Sequence, residues 1–242
     1  MIECRDVTKT FGGVRALQGV NVTFNDGELI GLVGPNGSGK STLINTITGE
    51  FRPTSGKIFF EGRDVHAMPS HRIRSLGIAR TYQIPRSFQS MTVIENVAVS
   101  CMFGAEKLTQ GEARVQAEQY LEFAGLADRA LSYPGGLNLH QRQFLELARA
   151  LAAQPKVLFL DEVFAGLNPG EIETSVALIR KIHATGVTIV LVEHIMRLVM
   201  QLASRLVVLA QGSVLADGDP AEVIQDSEVI GAYLGRSYAR NS

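Results

Sequence analysis

The residues best suited to chemistry in this chain of 242 residues are Gly34–Ser41, whose sequence GPNGSGKS fits the phosphate-binding pattern G-x-x-x-x-G-K-[ST]. In this pattern the glycines let the backbone turn consecutive N–H groups toward a polyphosphate. The lysine reaches the β- and γ-phosphates, and the last hydroxyl is a ligand for Mg²⁺. Glu28–Val33 predicts a buried strand before the loop, and Ser41–Thr48 predicts a helix after it, whose N-terminus favours an anion. We therefore expect a nucleoside triphosphate to contact Gly34, Pro35, Asn36, Gly37, Ser38, Gly39, Lys40, Ser41 and Thr42.

Further polar residues follow other predicted strands, at Gln83, Asp161, Glu162 and His194. Asp161 ends the apolar run KVLFLD and can hold Mg²⁺ together with Ser41, while Glu162 can deprotonate the attacking water. The Gln83 amide oxygen can coordinate the metal or the water, and His194 can stabilise the γ-phosphate. The alternatives are a carboxylate pair that caps the next helix and a structural histidine. We expect all four at the sheet edge that carries the loop, where ligands bind in open α/β sheets.

Composition excludes several classes of protein. Apolar residues make up 45% and charged residues 19% of the chain, which suits a globular fold with a full core. The net charge is −1, whereas a nucleic-acid binder usually carries an excess of basic residues. No nucleic-acid partner is therefore expected. Cys4 and Cys101 have no neighbours at metal-ligand spacing and are predicted to be reduced, small hydrophobes. The charged N-terminus and the strand-length apolar runs favour a cytosolic protein that reaches a membrane only through a partner.

The order of predicted elements indicates an α/β fold. Strands at Ile2–Thr8, Val20–Phe24 and Glu28–Val33 open the chain, and the turn Asn25–Gly27 predicts a hairpin between the last two. Later strands alternate with helices, which indicates a mainly parallel sheet core. We predict that residues 1–84 and 154–242 form this core with an antiparallel N-terminal β subdomain, and that residues 85–153 form a helical insertion. In that insertion Asn138 and Gln141 have the spacing of a capping box that opens a helix to about Ala153.

The motifs occur in an order that resembles the nucleotide-binding subunit of an ABC transporter, a P-loop NTPase fold. The resemblance covers nearly the whole chain and is carried by Phe11, GPNGSGKS, Gln83, LNLHQ before a long helix, VLFLDE, AGLNP and His194. Within that family it resembles the branched-chain amino acid importer group most. The residues that carry this finer match are Gly34–Ser41, Leu76–Arg86, Val192–His194 and Gly218–Gly235.

The resemblance implies a role for each matching residue. Phe11 would stack on adenine; Ser41, Gln83 and Asp161 would serve Mg²⁺; Glu162 would be the general base; and His194 would sense the γ-phosphate. Two such subunits would enclose two ATP molecules head to tail, with the segment around Asn168 touching the opposite subunit. The family also implies transmembrane permease subunits, indirectly a solute-binding protein, and a peripheral position on the cytoplasmic face of the inner membrane.

One motif departs from the family pattern, L-S-G-G-Q, because Leu137–Gln141 stands in its place as LNLHQ. Asn138 replaces the serine, and Leu139 and His140 replace both glycines. Asn138 and Gln141 remain candidates for contacting nucleotide, since the helix end that faces an anion is retained. His140, however, adds bulk where the family brings backbone close to a phosphate. We therefore favour a heterodimer with a second ATPase subunit, in which one composite site is weaker.

The leading functional hypothesis is an ATPase that energises an importer. Branched-chain amino acids are the default cargo, and other amino acids, urea and small organic acids remain open. One alternative is a lipid or lipopolysaccharide exporter, and another is a soluble ABC ATPase of DNA repair or translation. A P-loop kinase or GTPase would leave Gln83 and His194 unexplained.

Overall fold

The computed structural model describes residues 1–82, 86–104 and 108–234. Its strands are β1 (Ile2–Phe11), β2 (Val14–Phe24), β3 (Leu29–Val33), β4 (Ser55–Phe60), β5 (Arg63–Asp64), β6 (Ile78–Arg80), β7 (Val157–Asp161), β8 (Thr188–Val192), β9 (Arg205–Ala210) and β10 (Ser213–Gly218). Its helices are α1 (Lys40–Ile47), α2 (Ser70–Ser75), α3 (Val93–Met102), α4 (Gln110–Phe123), α5 (Leu139–Leu151), α6 (Pro169–His183), α7 (Met196–Leu202), α8 (Pro220–Val223) and α9 (Ser227–Leu234). The chain divides into two compact units: the first contains residues 1–70 and the part from Thr188 onward, and the second is His71–Val187.

The first unit contains two sets of paired strands. The antiparallel set has the order β2-β1-β4-β5, and β1 turns into β2 where Phe11 pairs with Val14. In the other set β3 runs parallel to β8 on one side and to β9 on the other, and β10 pairs antiparallel with β9. Every residue of β3 is buried, as expected for a parallel strand with neighbours on both sides. The predicted α/β class, with a mainly parallel core and an antiparallel sheet, is confirmed.

The predicted hairpin between the second and third strands is wrong. β2 pairs with β1, whereas β3 lies in the other set of strands, between β8 and β9. The turn Asn25–Gly27 therefore connects two sheets, and the Gly27 N–H donates to the Thr188 hydroxyl at 2.8 Å. The run LIGLV has no polar alternation, and this absence is the mark of a parallel strand buried on both faces.

The second unit is mostly helical. β6 and β7 pair in parallel, and α3 and α4 each begin with a complete capping box, formed by Thr92 with Glu95 and by Thr109 with Glu112. After α4 the chain forms a short 3-10 turn at Ala127–Arg129. The boundaries predicted for the helical subdomain, residues 85–153, stay a prediction.

Two expectations from composition concern burial and membranes. Cys4 and Cys101 are both buried and free, and burial raises their pKa values to about 12 and about 11, so both are protonated thiols at neutral pH. Within residues 1–82, 86–104 and 108–234, no helix is both long enough and apolar enough to cross a bilayer.

Candidate functional site

The phosphate-binding loop follows β3 in the first unit, and two of its glycines are required by space. At Gly34 (φ 146°) a Cβ atom would lie 2.0 Å from the backbone oxygen of Leu209. At Gly39 (φ 108°) it would lie 2.7 Å from the backbone oxygen of Ala16. Both positions also have φ values that L side chains rarely adopt. The loop therefore needs these glycines for its shape, in addition to any approach of a ligand.

Helix α1 begins inside the loop with an N-terminus suited to an anion. Its N-cap is Gly39, which contributes no side-chain cap, and its first turn carries no acidic residue. The Lys40 amino group donates to the carbonyl oxygens of Gly34 at 2.7 Å and Pro35 at 3.1 Å. Ser41, the proposed metal ligand, is exposed. The uncapped N–H groups, the helix dipole and Lys40 together favour a polyphosphate at this point.

Phe11 ends β1 in the same unit and presents an exposed aromatic surface. The residue is 42% exposed, and its ring packs edge-on against Phe51 with the centroids 5.1 Å apart. The Lys9 amino group lies 4.9 Å from the Phe11 centroid and donates to the carbonyl of Arg52 at 2.7 Å. A half-exposed ring that is held by a second ring can stack on a nucleobase.

His194 follows β8, the strand next to β3. In the parallel register Leu32 pairs with Val192, so the residues after each strand leave the sheet side by side. Glu193 is buried and His194 is exposed. His194 therefore lies at the edge of the sheet that carries the phosphate loop, and its role at the γ-phosphate stays a prediction.

Asp161 is the last residue of β7 in the second unit and is almost buried. One carboxylate oxygen lies 3.3 Å from the Arg80 guanidinium, whose side chain is also almost buried. The Asp161 backbone N–H donates to the Thr81 hydroxyl at 3.2 Å. Sequence reasoning missed Arg80, although the parallel pairing of β6 with β7 could have placed it beside the acid. An ionised Asp161 thus has a cationic partner within the chain.

Glu162 follows Asp161 with a left-handed backbone, φ 50°. Non-glycine residues in this region carry strain of about 1 kcal/mol or more, and such strain clusters at functional sites. The Glu162 carbonyl accepts from the N–H of Ala165 at 3.2 Å, which closes a tight turn. Gln83, predicted to be a catalytic and metal-binding residue, lies outside the described residues.

The altered signature segment Leu137–Gln141 opens α5. Asn138 and Gln141 form the predicted capping box: the Gln141 N–H donates to the Asn138 side chain at 2.8 Å, and the Asn138 N–H donates to the Gln141 side chain at 3.1 Å. This prediction is confirmed. The cap satisfies two N–H groups that an anion would otherwise use, so this helix end differs from that of α1.

The two residues that replace glycine are held by neighbours. The His140 ring packs on Phe144 with centroids 4.1 Å apart, and its buried Nε2 has no hydrogen-bond partner within the described residues. Burial lowers the pKa of His140, and Glu171 opposes this effect. The Leu139 side chain lies close to Gly166. A Cβ atom added at Gly166 would be 2.8 Å from the Leu139 side chain. The substitutions are therefore built into the packing at the start of the helix.

The donor atoms of the predicted metal site suit Mg²⁺. Ser41 and Asp161 offer a hydroxyl and a carboxylate oxygen, the hard ligands that Mg²⁺ prefers. In the part of the chain that the structure describes, no cluster of three or more His, Cys, Asp or Glu side chains could hold a metal. In general Mg²⁺ binds through one or two protein ligands, waters and substrate phosphates. The Mg²⁺ site at Ser41 and Asp161 stays a prediction.

Three features together define an ATP-binding cassette ATPase. They are the phosphate loop that requires its glycines, the carboxylates Asp161 and Glu162 at the end of β7, and the capped helix α5 that carries the signature segment. The profile of the family described as "ABC transporter" matches residues 17–165, and the chain belongs to this family. More particularly, the profile described as "Branched-chain amino acid ATP-binding cassette transporter" matches residues 213–239 at the C-terminus. Both levels of the resemblance seen in the sequence are confirmed.

Individual relatives extend over almost the whole chain. The high-affinity branched-chain amino acid transport ATP-binding protein BraF of Pseudomonas aeruginosa is 37% identical, over 98% of each chain. Among solved structures, the ATP-binding cassette MJ1267 in its ADP conformation has a TM-score of 0.87 and 30% identity, over 97% of this chain and 98% of that one. The dimeric cassette MJ0796 bound to ADP and Pi has a TM-score of 0.83 and 27% identity, over 91% and 99%.

Proposed function

We propose that this chain is the ATP-hydrolysing subunit of an importer for branched-chain amino acids or related small polar solutes. The observation that carries the proposal is the full-length similarity to BraF, a transport ATP-binding protein for these amino acids, in a chain with an intact phosphate loop. A lipid exporter, a lipopolysaccharide exporter or a soluble ABC ATPase would not account for the match of the branched-chain amino acid profile at residues 213–239.

The nucleotide is bound mainly by the loop and its helix. The N–H groups of Gly34–Ser41, with Thr42 following, surround the phosphates, and Lys40 exchanges its loop carbonyls for phosphate oxygens. Phe11 stacks on the adenine. Ser41, Asp161 and Gln83 would hold Mg²⁺, which when bound would neutralise charge on the phosphate oxygens.

Hydrolysis depends on Glu162 and His194. The Glu162 carboxylate accepts a proton from the attacking water. The strained, left-handed backbone of Glu162 sets the direction in which its side chain leaves the main chain. His194, exposed at the end of β8, donates a hydrogen bond to the γ-phosphate and stabilises charge as the bond breaks.

The chain works as a dimer with a second ATPase subunit, and we favour a heterodimer. The support is the altered signature, in which His140 is packed on Phe144 where the family pattern has glycine. The composite site that receives this signature would then be the weaker of the two. The dimer docks on transmembrane permease subunits at the cytoplasmic face of the membrane, and a solute-binding protein delivers the cargo to them.

The test is purification of the chain from membranes followed by reconstitution in vesicles. We expect permease subunits and a second ATP-binding subunit to co-purify, and labelled leucine to enter the vesicles only with ATP. Recovery of the chain alone, or ATPase activity stimulated by nucleic acid but not by a permease, would reject the proposal. Equal activity of the purified chain and the full complex would reject the heterodimer.

Glu162→Gln tests the base within the same complex. It preserves side-chain size and the backbone preference but removes the proton acceptor, so we expect ATPase turnover to fall by about 10²- to 10⁴-fold with ATP binding retained. Glu173→Gln, which alters an exposed glutamate on α6, is the matched control and should leave turnover unchanged. Near-normal turnover of Glu162→Gln would remove Glu162 from the mechanism.

A further inference from the structure

Phe11 belongs to a small cluster that joins two segments of the first unit. The cluster contains Lys9 and Phe11 from β1 and Phe51 from the segment between α1 and β4. The Phe51 and Phe11 rings meet at 76°, with the centroids 5.1 Å apart. Aromatic pairs of this edge-to-face geometry are stabilised beyond the burial of their surface, so each ring favours one orientation of the other. Phe51 therefore orients the ring that we assign to adenine.

Lys9 contacts both rings of the cluster. Its amino group lies 4.9 Å from the Phe11 centroid and 5.7 Å from the Phe51 centroid. A cation over an aromatic ring is attracted by the negative charge of the ring face. The same amino group donates to the Arg52 carbonyl oxygen at 2.7 Å, which ties the rings to the backbone of the segment that carries Phe51. Phe11 stays exposed beside this cation, so ring surface is left for a nucleobase.

The segment Phe51–Thr54 is also hydrogen-bonded to β1 through its last residue. The Thr54 N–H donates to the Thr8 carbonyl oxygen at 2.7 Å, and the Thr10 N–H donates to the Thr54 hydroxyl at 3.0 Å. The bond from Lys9 to this segment adds a third link. The segment is therefore held against the end of β1 by backbone bonds as well as by the ring contact.

The start of the segment is bonded to α1, the helix that begins inside the phosphate loop. The Phe51 N–H donates to the Asn45 carbonyl oxygen at 3.0 Å, and the Glu50 N–H donates to the same oxygen at 2.9 Å. Asn45 lies within α1 (Lys40–Ile47). One short segment thus connects the helix assigned to the phosphates with the ring assigned to the base.

We propose that Phe51 is a positioning residue for the nucleobase, which orients Phe11 and fixes its place relative to the phosphate loop. The inference rests on the proposed binding of ATP by Gly34–Ser41 and Phe11. A triphosphate without a base uses only the loop, whereas ATP must fit the loop and the ring at once. Phe51 therefore contributes to the affinity for ATP and not to the affinity for inorganic triphosphate.

The test compares ATP with inorganic triphosphate, each with Mg²⁺, by calorimetry on the full chain. Phe51→Leu removes the ring and keeps an apolar side chain. Loss of an edge-to-face pair corresponds to about a five-fold change in affinity. We expect Phe51→Leu to bind ATP more weakly by this factor and to bind inorganic triphosphate as tightly as wild type. In the full complex the KM for ATP should rise to the same extent with kcat unchanged.

Phe59→Leu is the matched control. Phe59 is also a half-buried phenylalanine with a cation over its ring, Arg5 at 4.5 Å. It pairs with Glu3, at the opposite end of β1 from Phe11, so Phe59→Leu should change neither affinity. Phe51→Tyr keeps an aromatic ring at the contact and should retain most of the affinity for ATP.

A double-mutant cycle shows whether Phe51 acts through Phe11. Phe11→Leu should weaken ATP binding about ten-fold through lost stacking. Adding Phe51→Leu to Phe11→Leu should then weaken ATP binding no further. Additive losses would overturn the inference, as would unchanged ATP affinity in Phe51→Leu or an equal loss of affinity for ATP and inorganic triphosphate.

Wild type and Lys40→Ala distinguish this inference from the proposed function. If wild type binds neither ligand, or if Lys40→Ala binds both as tightly as wild type, the phosphate site is wrong and the role of Phe51 falls with it. If wild type binds both ligands, Lys40→Ala weakens both and Phe11→Leu weakens ATP alone, the proposed site stands. Phe51→Leu then decides whether Phe51 positions the base.

Discussion

The two helix N-termini assigned to nucleotide, those of α1 and α5, differ in how their N–H groups are satisfied. At α1 the N-cap is Gly39, with no side-chain cap, and Lys40 stands in the first turn. At α5 Asn138 and Gln141 form a complete capping box, and His140 packs against Phe144. The first N–H groups of α1 are open to an anion, whereas two N–H groups at the start of α5 already donate to the side chains of Asn138 and Gln141. Two motifs of one nucleotide-binding family can therefore differ greatly in readiness for a phosphate.

The largest effect that would test this comparison is expected from Gly34→Ala. The new Cβ would lie 2.0 Å from the Leu209 backbone oxygen, so the loop must shift and carry several phosphate-binding N–H groups with it. We expect ATP affinity to fall by about 100-fold, which calorimetry can measure. Gly27→Ala is the control, since Gly27 has a similar need for positive φ but open space around its Cβ position. It should lower stability by about 1 kcal/mol without changing ATP affinity. Equal affinities in the two variants would contradict the steric role of Gly34.

The cap at α5 is tested by Asn138→Ala. Loss of an N-cap lowers the free energy of unfolding by about 1 kcal/mol, which urea denaturation can measure, and Asn138→Ser should recover most of it. Thr109→Ala removes the corresponding cap of α4 and should give a similar loss of stability. If Asn138 also contacts nucleotide, only Asn138→Ala will reduce the ATPase activity of the complex. Identical activities would restrict Asn138 to a structural role.

A smaller effect is expected from His140→Gly, which restores a residue of the family pattern. If one composite site of the heterodimer is weak because of His140, restoring the glycine should raise ATPase activity of the complex by at most about two-fold, since the other composite site is already active and only one site recovers. Phe144→Leu is a useful control because it alters the packing under His140 while leaving the histidine in place. No rise in His140→Gly would mean that this side chain does not limit hydrolysis.

The smallest effect is a pH dependence of stability. Burial lowers the pKa of His140 in the folded chain, whereas the unfolded chain binds a proton near pH 6.5. Between these two values the unfolded state holds more protons, so the free energy of unfolding decreases as pH falls through this window. His140→Gln should remove this part of the slope in urea denaturation as the pH falls below the unfolded-state pKa of about 6.5. An unchanged slope would show that the His140 pKa is the same in both states.

Local sequence signals predicted much of the fold and site. The loop has both strand and helix where GPNGSGKS requires them, and the Asn138–Gln141 capping box is present. Each of these depends on residues within a few positions of one another, so propensity and hydrogen-bond geometry are sufficient.

Features that depend on distant partners were not predicted. The turn Asn25–Gly27 is typical of a hairpin, but the pairing of β3 is decided by β8 and β9, which arrive much later in the chain. The contact of Arg80 with Asp161 also joins distant segments. By contrast, the packing of His140 on Phe144 was accessible, because residues four apart share one face of a helix.

The hydrogen bonds from Lys40 to the Gly34 and Pro35 carbonyls also bear on the entropy of nucleotide association. A free lysine side chain loses roughly 1.5 to 2 kcal/mol of rotamer entropy when it is fixed. Here that freedom is already reduced when the chain folds, before any ligand arrives. Association then exchanges one set of ordered partners for another, and the charge-assisted bonds to phosphate are opposed by a smaller entropy cost. The Gly34 and Pro35 carbonyls thus act as an internal ligand that orders the Lys40 side chain before nucleotide binds.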